Sequence, residues 1–220
     1  MSGTSSPPRP ALRSTACRLL PLLLGSFGAV EAAAAGNAAP APPPEVDARP
    51  MIPHDRNGDG RVDQRDYPGP GGELVLQEND SDYDGIFEAR TFFQGGVPTR
   101  IEIDMDGDGR PEMISNLGPG GVVNHIERDQ DGDGRLETTE YLRADGTVRR
   151  RLFDRDGNGK SERIDYLSPQ GELVLRVEDR NSDGILDTWL HYDMGILVSR
   201  SYDTDGDGNP DRDEMVTPGE

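Results

Sequence analysis

From residue 64 onward the chain runs in short stretches of alternating apolar and polar residues. Arg163-Ile164-Asp165-Tyr166-Leu167 and Leu173-Val174-Leu175-Arg176-Val177 are typical, rich in β-branched, aromatic and leucine side chains. That period of two predicts strands. Between paired stretches lie turn signals: Pro70-Gly71-Gly72, Asp145-Gly146, Ser168-Pro169-Gln170-Gly171 and Gly195. Elements this short, broken by Pro and Gly, fall below the length an amphipathic helix needs. The pattern predicts hairpins, with a face that buries Ile164, Tyr166, Leu173, Leu175, Val177 and their counterparts. The third hairpin, with Asn116, Asn124 and His125, is the least apolar.

The polar segments between the hairpins are the more regular part. They open at Asp55, Asp80, Asp104, Asp129, Asp154, Asp179 and Asp203, in steps of 25, 24, 25, 25, 25 and 24 residues. Each has the form D-x-[DN]-x-[DN]-G-x-x-[DE], and about 15 residues separate one from the next. An aromatic commonly follows twelve residues after the opening Asp: Tyr67, Phe92, Tyr141 and Tyr166. A fixed period marks a repeat architecture in which each unit is one supersecondary element. The expected fold class is all-β. Seven repeats of about 25 residues, each strand, turn, strand and acidic loop, form an antiparallel meander or coiled repeat sheet. The acidic loops then line one edge and the glycine turns the other.

Positions 1, 3, 5, 7 and 9 of the loops are the candidate ligands. The first three loops present Asp55, Asn57, Asp59, Arg61 and Asp63; Asp80, Asp82, Asp84, Ile86 and Glu88; and Asp104, Asp106, Asp108, Arg110 and Glu112. The next two present Asp129, Asp131, Asp133, Arg135 and Glu137; and Asp154, Asp156, Asn158, Lys160 and Glu162. The last two present Asp179, Asn181, Asp183, Ile185 and Asp187; and Asp203, Asp205, Asp207, Asn209 and Asp211. Alternate residues of a tight loop point inward together, Gly at position 6 permits the sharp turn, and position 7 contributes its backbone carbonyl. All-oxygen sites of this kind suit calcium, which takes six to eight oxygens in a flexible shell; magnesium holds to a stricter octahedron with retained waters. Zinc and copper favour His or Cys, which the loops lack. Asp and Gly also make ordinary turns, but seven copies in register with an acid at position 9 point to calcium, up to seven ions. The Asp203 loop, at the end of the array, is expected to be the loosest.

These residues resemble several known calcium loops. Asp55 through Asp66 and Asp129 through Glu140 fit the twelve-residue EF-hand pattern, and the first is also similar to a dockerin loop. Over residues 55–211 the chain resembles tandem EF-hand-like repeat proteins of bacterial secreted type. In true EF-hands position 12 supplies a bidentate acid and a helix follows. Here position 12 is Asp66, Thr91, Ser115, Glu140, Asp165, Leu190 and Glu214, so three loops lack an acid there. The loops more closely resemble the nine-residue calcium loops between strands of integrin α-subunit propellers, whose positions 1, 3, 5, 7 and 9 coordinate. Thrombospondin type 3 repeats share the aspartate spacing but add cysteines. The stretch from Tyr141 to Gly146 is faintly similar to bacterial YD repeats.

Composition narrows the setting. Hydrophobic residues make up 32% and aromatics 5% of 220 residues, too few for a large conventional core. The net charge of −19 argues against nucleic acid or an anionic membrane surface as partner. Arg9, Arg13 and Arg18, an apolar run from Leu19 to Val30, and Ala32 to Ala35 have the order of a secretory signal peptide. The run is too short to span a membrane. The expected organisation is a signal peptide at 1–35, a disordered Ala/Pro-rich linker at 36–53, the repeat domain at 54–216 and a tail at 217–220. Cleavage removes Cys17, the sole cysteine, so no disulfide staples the mature chain. It also removes three Arg and one Glu, moving the charge to −21, and seven calcium ions would bring it to −7.

No nucleophile motif or phosphate-cradling loop is present, and His54, His125 and His191 are not at metal-ligand spacing. Trp189 with Tyr192 is a candidate carbohydrate platform, though a lone Trp in a strand more often packs. The reading is a secreted, periplasmic or cell-surface calcium-binding protein, not an enzyme, its loops stiffening a binding or spacer module. An extracellular polysaccharide or protein is its candidate partner. The alternative is a small secreted calcium-dependent hydrolase.

Overall fold

The computed structural model describes residues 51–217. Residues 1–35, where a signal peptide is expected, residues 36–50 of the expected linker, and residues 218–220 lie outside the described residues. Fourteen strands follow one another. They are β1 (Ile52–His54), β2 (Gln64–Pro68), β3 (Leu74–Asn79), β4 (Ala89–Gln94) and β5 (Val97–Ile103). Next come β6 (Met113–Leu117), β7 (Val123–Arg128), β8 (Thr138–Leu142), β9 (Val148–Phe153) and β10 (Arg163–Leu167). The last are β11 (Leu173–Glu178), β12 (Thr188–Asp193), β13 (Ile196–Tyr202) and β14 (Arg212–Met215). The only helical turn described, Pro119–Gly121, is a hairpin connection. β1 takes in Ile52 and Pro53, so the sheet begins two residues earlier than the linker boundary expected from Pro content.

All fourteen strands form one open antiparallel sheet in sequence order, each bonded to its chain neighbours. In such a meander successive connections alternate between the two ends of the strands. The seven acidic loops therefore share one edge, and the six tight turns share the other, as the repeat pattern predicts. Among the described residues no hydrogen bond, ion pair or ring contact joins residues more than 24 apart. The sheet is thus held by nearest-neighbour terms, as in other repeat proteins.

Every hairpin contains the same irregularity. Register shifts between Tyr67 and Pro68, Phe92 and Phe93, Asn116 and Leu117, Tyr141 and Leu142, Tyr166 and Leu167, and His191 and Tyr192. The extra residue lies on the returning strand: Val75, Thr99, Asn124, Arg149, Val174 and Val198. A bulge adds local twist and re-aims the strand end, and here it recurs one residue after the position that is aromatic in four repeats. It also moves Leu173. Ile164 faces Val177 and Tyr166 faces Leu175 across the ladder, but Leu173 pairs with Leu167 beyond the bulge.

The turns explain the 24-residue steps. Four hairpins close through five residues, with a glycine at positive φ (Gly72, Gly121, Gly146 and Gly171) bonded back to the residue three before it, and in the third hairpin Gly120 is at positive φ as well. The hairpins of the two short repeats close through two residues, Gly95-Gly96 and Met194-Gly195, both at positive φ. The missing residue is absorbed in the turn, and the acidic loops stay in register.

The core is small and lies mostly toward the C-terminus: Leu76, Ile114, Leu152, Phe153, Ile164, Val177, Trp189 and Leu190 are buried. Buried neighbours in sequence, such as Ile114-Ser115 and Ile164-Asp165, point to opposite sides of the sheet, so both faces bury residues. Long side chains do much of the covering, as where the Arg163 guanidinium lies 3.6 Å over Phe153. Trp189 is buried in β12, so it packs and offers no carbohydrate platform. In the third repeat a polar pair replaces the aromatic: Asn116 faces His125 and donates to Glu127 at 2.9 Å.

Rows of ions cross the sheet where apolar residues are few. On one face Glu78 lies 3.4 Å from Arg65 and 3.5 Å from Arg90. On the other, Arg151 meets Glu140 at 2.7 Å, and Arg176 grips buried Asp165 through two bonds of 2.7 and 3.0 Å. Composition alone does not disclose these ladders, because strand register decides which charges face each other.

Two stability predictions follow from this geometry. Arg176→Ala leaves the Asp165 carboxylate buried without its main counter-ion and should lower the unfolding free energy by about 3 kcal/mol in urea denaturation. Met194, exposed at φ 48°, holds a left-handed conformation that suits Asn or Gly. Met194→Asn should raise the unfolding free energy by about 1 kcal/mol.

Candidate metal-binding loops

The hydrogen bonds inside the seven loops repeat almost atom for atom. The N–H of the glycine at position 6 donates to the Asp at position 1, at 2.7–3.0 Å in every loop. The N–H of position 7 donates to the side chain at position 5, at 2.8–3.0 Å. The N–H of position 5 donates to the side chain at position 3, at 2.9–3.3 Å. The N–H of position 2 donates to the acid at position 9, at 2.7–3.3 Å. Short polar side chains bonding to nearby backbone favour such loops over helix or sheet. The Asp203 loop has the full set, so the looseness expected of it does not show in its bonding. Its flanking strand β14 is exposed throughout.

These anchors occupy one oxygen of each side chain, and in every loop but that of Asp104 the second oxygen of the position-1 Asp also accepts a nearby N–H. In the Asp129 loop, oxygens of Asp129, Asp131, Asp133 and Glu137 lie within 4.8 Å of one another. Four other loops converge through three acids: Asp80, Asp82 and Glu88; Asp104, Asp106 and Asp108; Asp154, Asp156 and Glu162; Asp203, Asp205 and Asp211. Each of these groups could hold a metal ion. The Asp55 and Asp179 loops, with Asn at position 3, do not bring three carboxylates that close. There the amides of Asn57 and Asn181 donate to Asp59 and Asp183 at 3.3 and 3.0 Å.

Three carboxylate oxygens facing the loops are buried and accept no hydrogen bond: Asp63 Oδ1, Glu88 Oε2 and Asp104 Oδ1. Asp63 and Asp104 are 4% and 3% exposed. A buried carboxylate oxygen without a partner is costly. A bound cation would satisfy it, so the donor set fits a hard metal ion.

Position 12 is engaged elsewhere. Asp66 takes bonds from Gln64, Gln77 and His54, and these more than offset burial to hold its pKa below the usual carboxylate range. Glu140 and Asp165 belong to the ion ladders, and Leu190 is core. A strand follows each loop where an EF-hand would have a helix. The nine-residue reading of the loop accords with this arrangement.

Electrostatics within the loops oppose full ionisation. Burial pushes the Glu137 pKa up, and the charges of Asp129 and Asp131 add to it. Asp205 is raised by the charges of Asp207, Asp211 and Asp203. Asp203 sits low: desolvation raises it, but N–H groups of Gly208, Gly206 and Asp207 outweigh that.

No protein-family model matches the chain, and no curated protein does. Among solved structures, part of the chain is similar to accessory secretory protein 1, 2 and 3 of Streptococcus pneumoniae (15% identity, 50% of this chain and 20% of that one, TM-score 0.35). TarM is similar at 15% identity over the same shares, with a TM-score of 0.36. A porin-like protein from Bacteroides uniformis is similar at 12% identity over 65% of this chain and 54% of that one, with a TM-score of 0.26. The chain spans about a fifth of the length of the first two. At these TM-scores the likenesses carry no argument about fold or function. Among the described residues no helix is long and apolar enough to cross a membrane.

A pH prediction follows. A carboxyl raised in the folded state stabilises the metal-free fold below its unfolded value, and that contribution is lost as pH rises through the folded value. The same proton competes with metal. Metal affinity of the Asp129 loop should therefore fall on acidification, beginning above pH 4.5, the ordinary glutamate value. In isothermal titration across pH, Glu137→Gln should remove that step and weaken binding at this loop by at least about tenfold.

Proposed function

We propose that this chain is a secreted calcium-binding repeat protein in which the ions stiffen a β-sheet used as a surface binding or spacer module. The observation that carries the reading is the set of buried, unpartnered oxygens of Asp63, Glu88 and Asp104, the last two in loops whose carboxylates converge. Calcium suits these loops because it accepts many oxygens at irregular angles, and the neutral Asn57, Asn158 and Asn181 can ligate through oxygen as well. Extracellular calcium modules bind with dissociation constants of about 10⁻⁴–10⁻³ M. Such sites fill outside a cell and stay largely empty within it, in keeping with the signal-peptide pattern. The chain acts by presenting a calcium-stiffened surface to an extracellular polysaccharide or protein, not by catalysis.

With few buried apolar side chains and four crowded acidic or amide side chains per loop, metal binding contributes directly to folding. Calorimetric titration of the mature chain should give up to seven calcium ions, with magnesium weaker. Circular dichroism should show loss of strand signal on adding chelator. A stoichiometry near zero, or a spectrum indifferent to chelator in a calcium-loaded sample, would overturn the proposal.

A further inference from the structure

Successive loops are joined directly. In all six adjacent pairs the N–H of position 1 donates to the carbonyl of position 9 in the preceding loop. The bonds are Asp80 to Asp63, Asp104 to Glu88, Asp129 to Glu112, Asp154 to Glu137, Asp179 to Glu162 and Asp203 to Asp187, at 2.8–3.0 Å. Two residues whose carboxylates serve different loops thus share one backbone bond.

A second link runs through position 7. Its carbonyl belongs to its own loop, but in four loops its side chain lies against a glycine of the next. Ile86 sits over Gly107, Arg110 over Gly134, Arg135 over Gly157 and Lys160 over Gly184. A β-carbon at those glycines would stand 2.6–3.0 Å from the covering side chain. The glycines therefore serve a neighbour's packing as well as their own positive φ. The guanidinium groups also bond forward: Arg110 Nη1 donates to the Asp133 carbonyl at 3.5 Å, and Arg135 Nη1 to the Asp156 carbonyl at 3.3 Å. Each cation thus rests between two clusters of carboxylates.

Resting on the calcium reading above, we infer that the loops load as a coupled row, and that Arg110, Arg135 and Lys160 are positioning residues that carry the coupling from one loop to the next. Filling one loop orders its position 9, and through the shared backbone bond it orders position 1 of the next loop. It also fixes the backbone at position 7, whose side chain then clamps the next loop in its binding shape. Ordering completed by the first ion need not be repeated for the second, which gives positive cooperativity. Coupling of this kind is reciprocal and typically amounts to about 5–150-fold in affinity. Charge alone acts the other way, since adjacent divalent ions repel, so the sign of the coupling is a discriminating observable.

The amide resonances of the position-6 glycines report each loop separately, because each of those N–H groups bonds the position-1 carboxylate. In the mature full-length protein, Asp133→Asn with Glu137→Gln disables the Asp129 loop. Calcium midpoints at Gly109 and Gly159 should then rise at least about fivefold, while Gly60, three repeats away, moves less. Arg135→Ala in that background should shrink the shift at Gly159 and spare the one at Gly109. Should the disabled variant not fold, Arg135→Ala alone keeps all candidate ligands, and it should spread the Gly134 and Gly159 midpoints apart while Arg135→Lys restores them. Midpoints at Gly109 and Gly159 that stay put or fall would overturn the coupling while leaving calcium binding intact. Absence of any calcium response in the unmodified protein would instead remove the calcium reading itself.

Discussion

The structure depends on a crowd of like charges held in place by backbone N–H groups. Each acidic loop brings three or four side-chain carboxylates to one edge of a thin sheet, where they repel. What holds them is a repeated set of bonds: Gly at 6 to Asp at 1, position 7 to 5, position 5 to 3 and position 2 to 9. Those donors fix the side chains, and in five loops three or four acids bring oxygens within 4.8 Å of one another. The raised pKa of Asp205 expresses the unrelieved part of that repulsion, and at Glu137 the repulsion adds to a rise that burial begins. A cation would relieve it, and would also supply the partner that Asp63 Oδ1 and Asp104 Oδ1 lack.

The sheet can tolerate such loops because it asks little of a hydrophobic core. Only a few apolar side chains are buried, most of them between Leu152 and Leu190. Elsewhere the strands are joined by ladder bonds, by ion rows such as Arg65–Glu78–Arg90, and by arginines lying over rings. Each strand rests on its chain neighbours, so stability accumulates repeat by repeat. The bulge in every hairpin and the two kinds of turn belong to the same economy. They let a residue be lost from a repeat, as in the Gly95-Gly96 and Met194-Gly195 hairpins, without shifting the loops.

Much of this was legible in the chain. The alternation around Ile164 and Leu175, the glycine turn signals and the loop period determined that the protein is an antiparallel meander with its acids on one edge. The reason is physical: period two, tight-turn residues and loop chemistry are all local properties. The acid at position 9 and the irregular position 12 likewise determined a nine-residue loop, because ligand spacing along a short loop is local too.

Tertiary structure alone decided which residues meet across strands. Nothing in the sequence says that Asp165 faces Arg176, that Glu140 faces Arg151, or that Asp66 is taken up by Gln77 and His54, since register pairs residues 11 or more apart. Nor does it say that Leu173 falls beyond a bulge or that Trp189 is buried. The loop-to-loop bonds and the seat of Arg135 over Gly157 depend on the spacing of stacked hairpins, about one repeat apart in the chain and adjacent in space. The sequence by itself determined the loops and their order; only the assembled sheet decided that they touch.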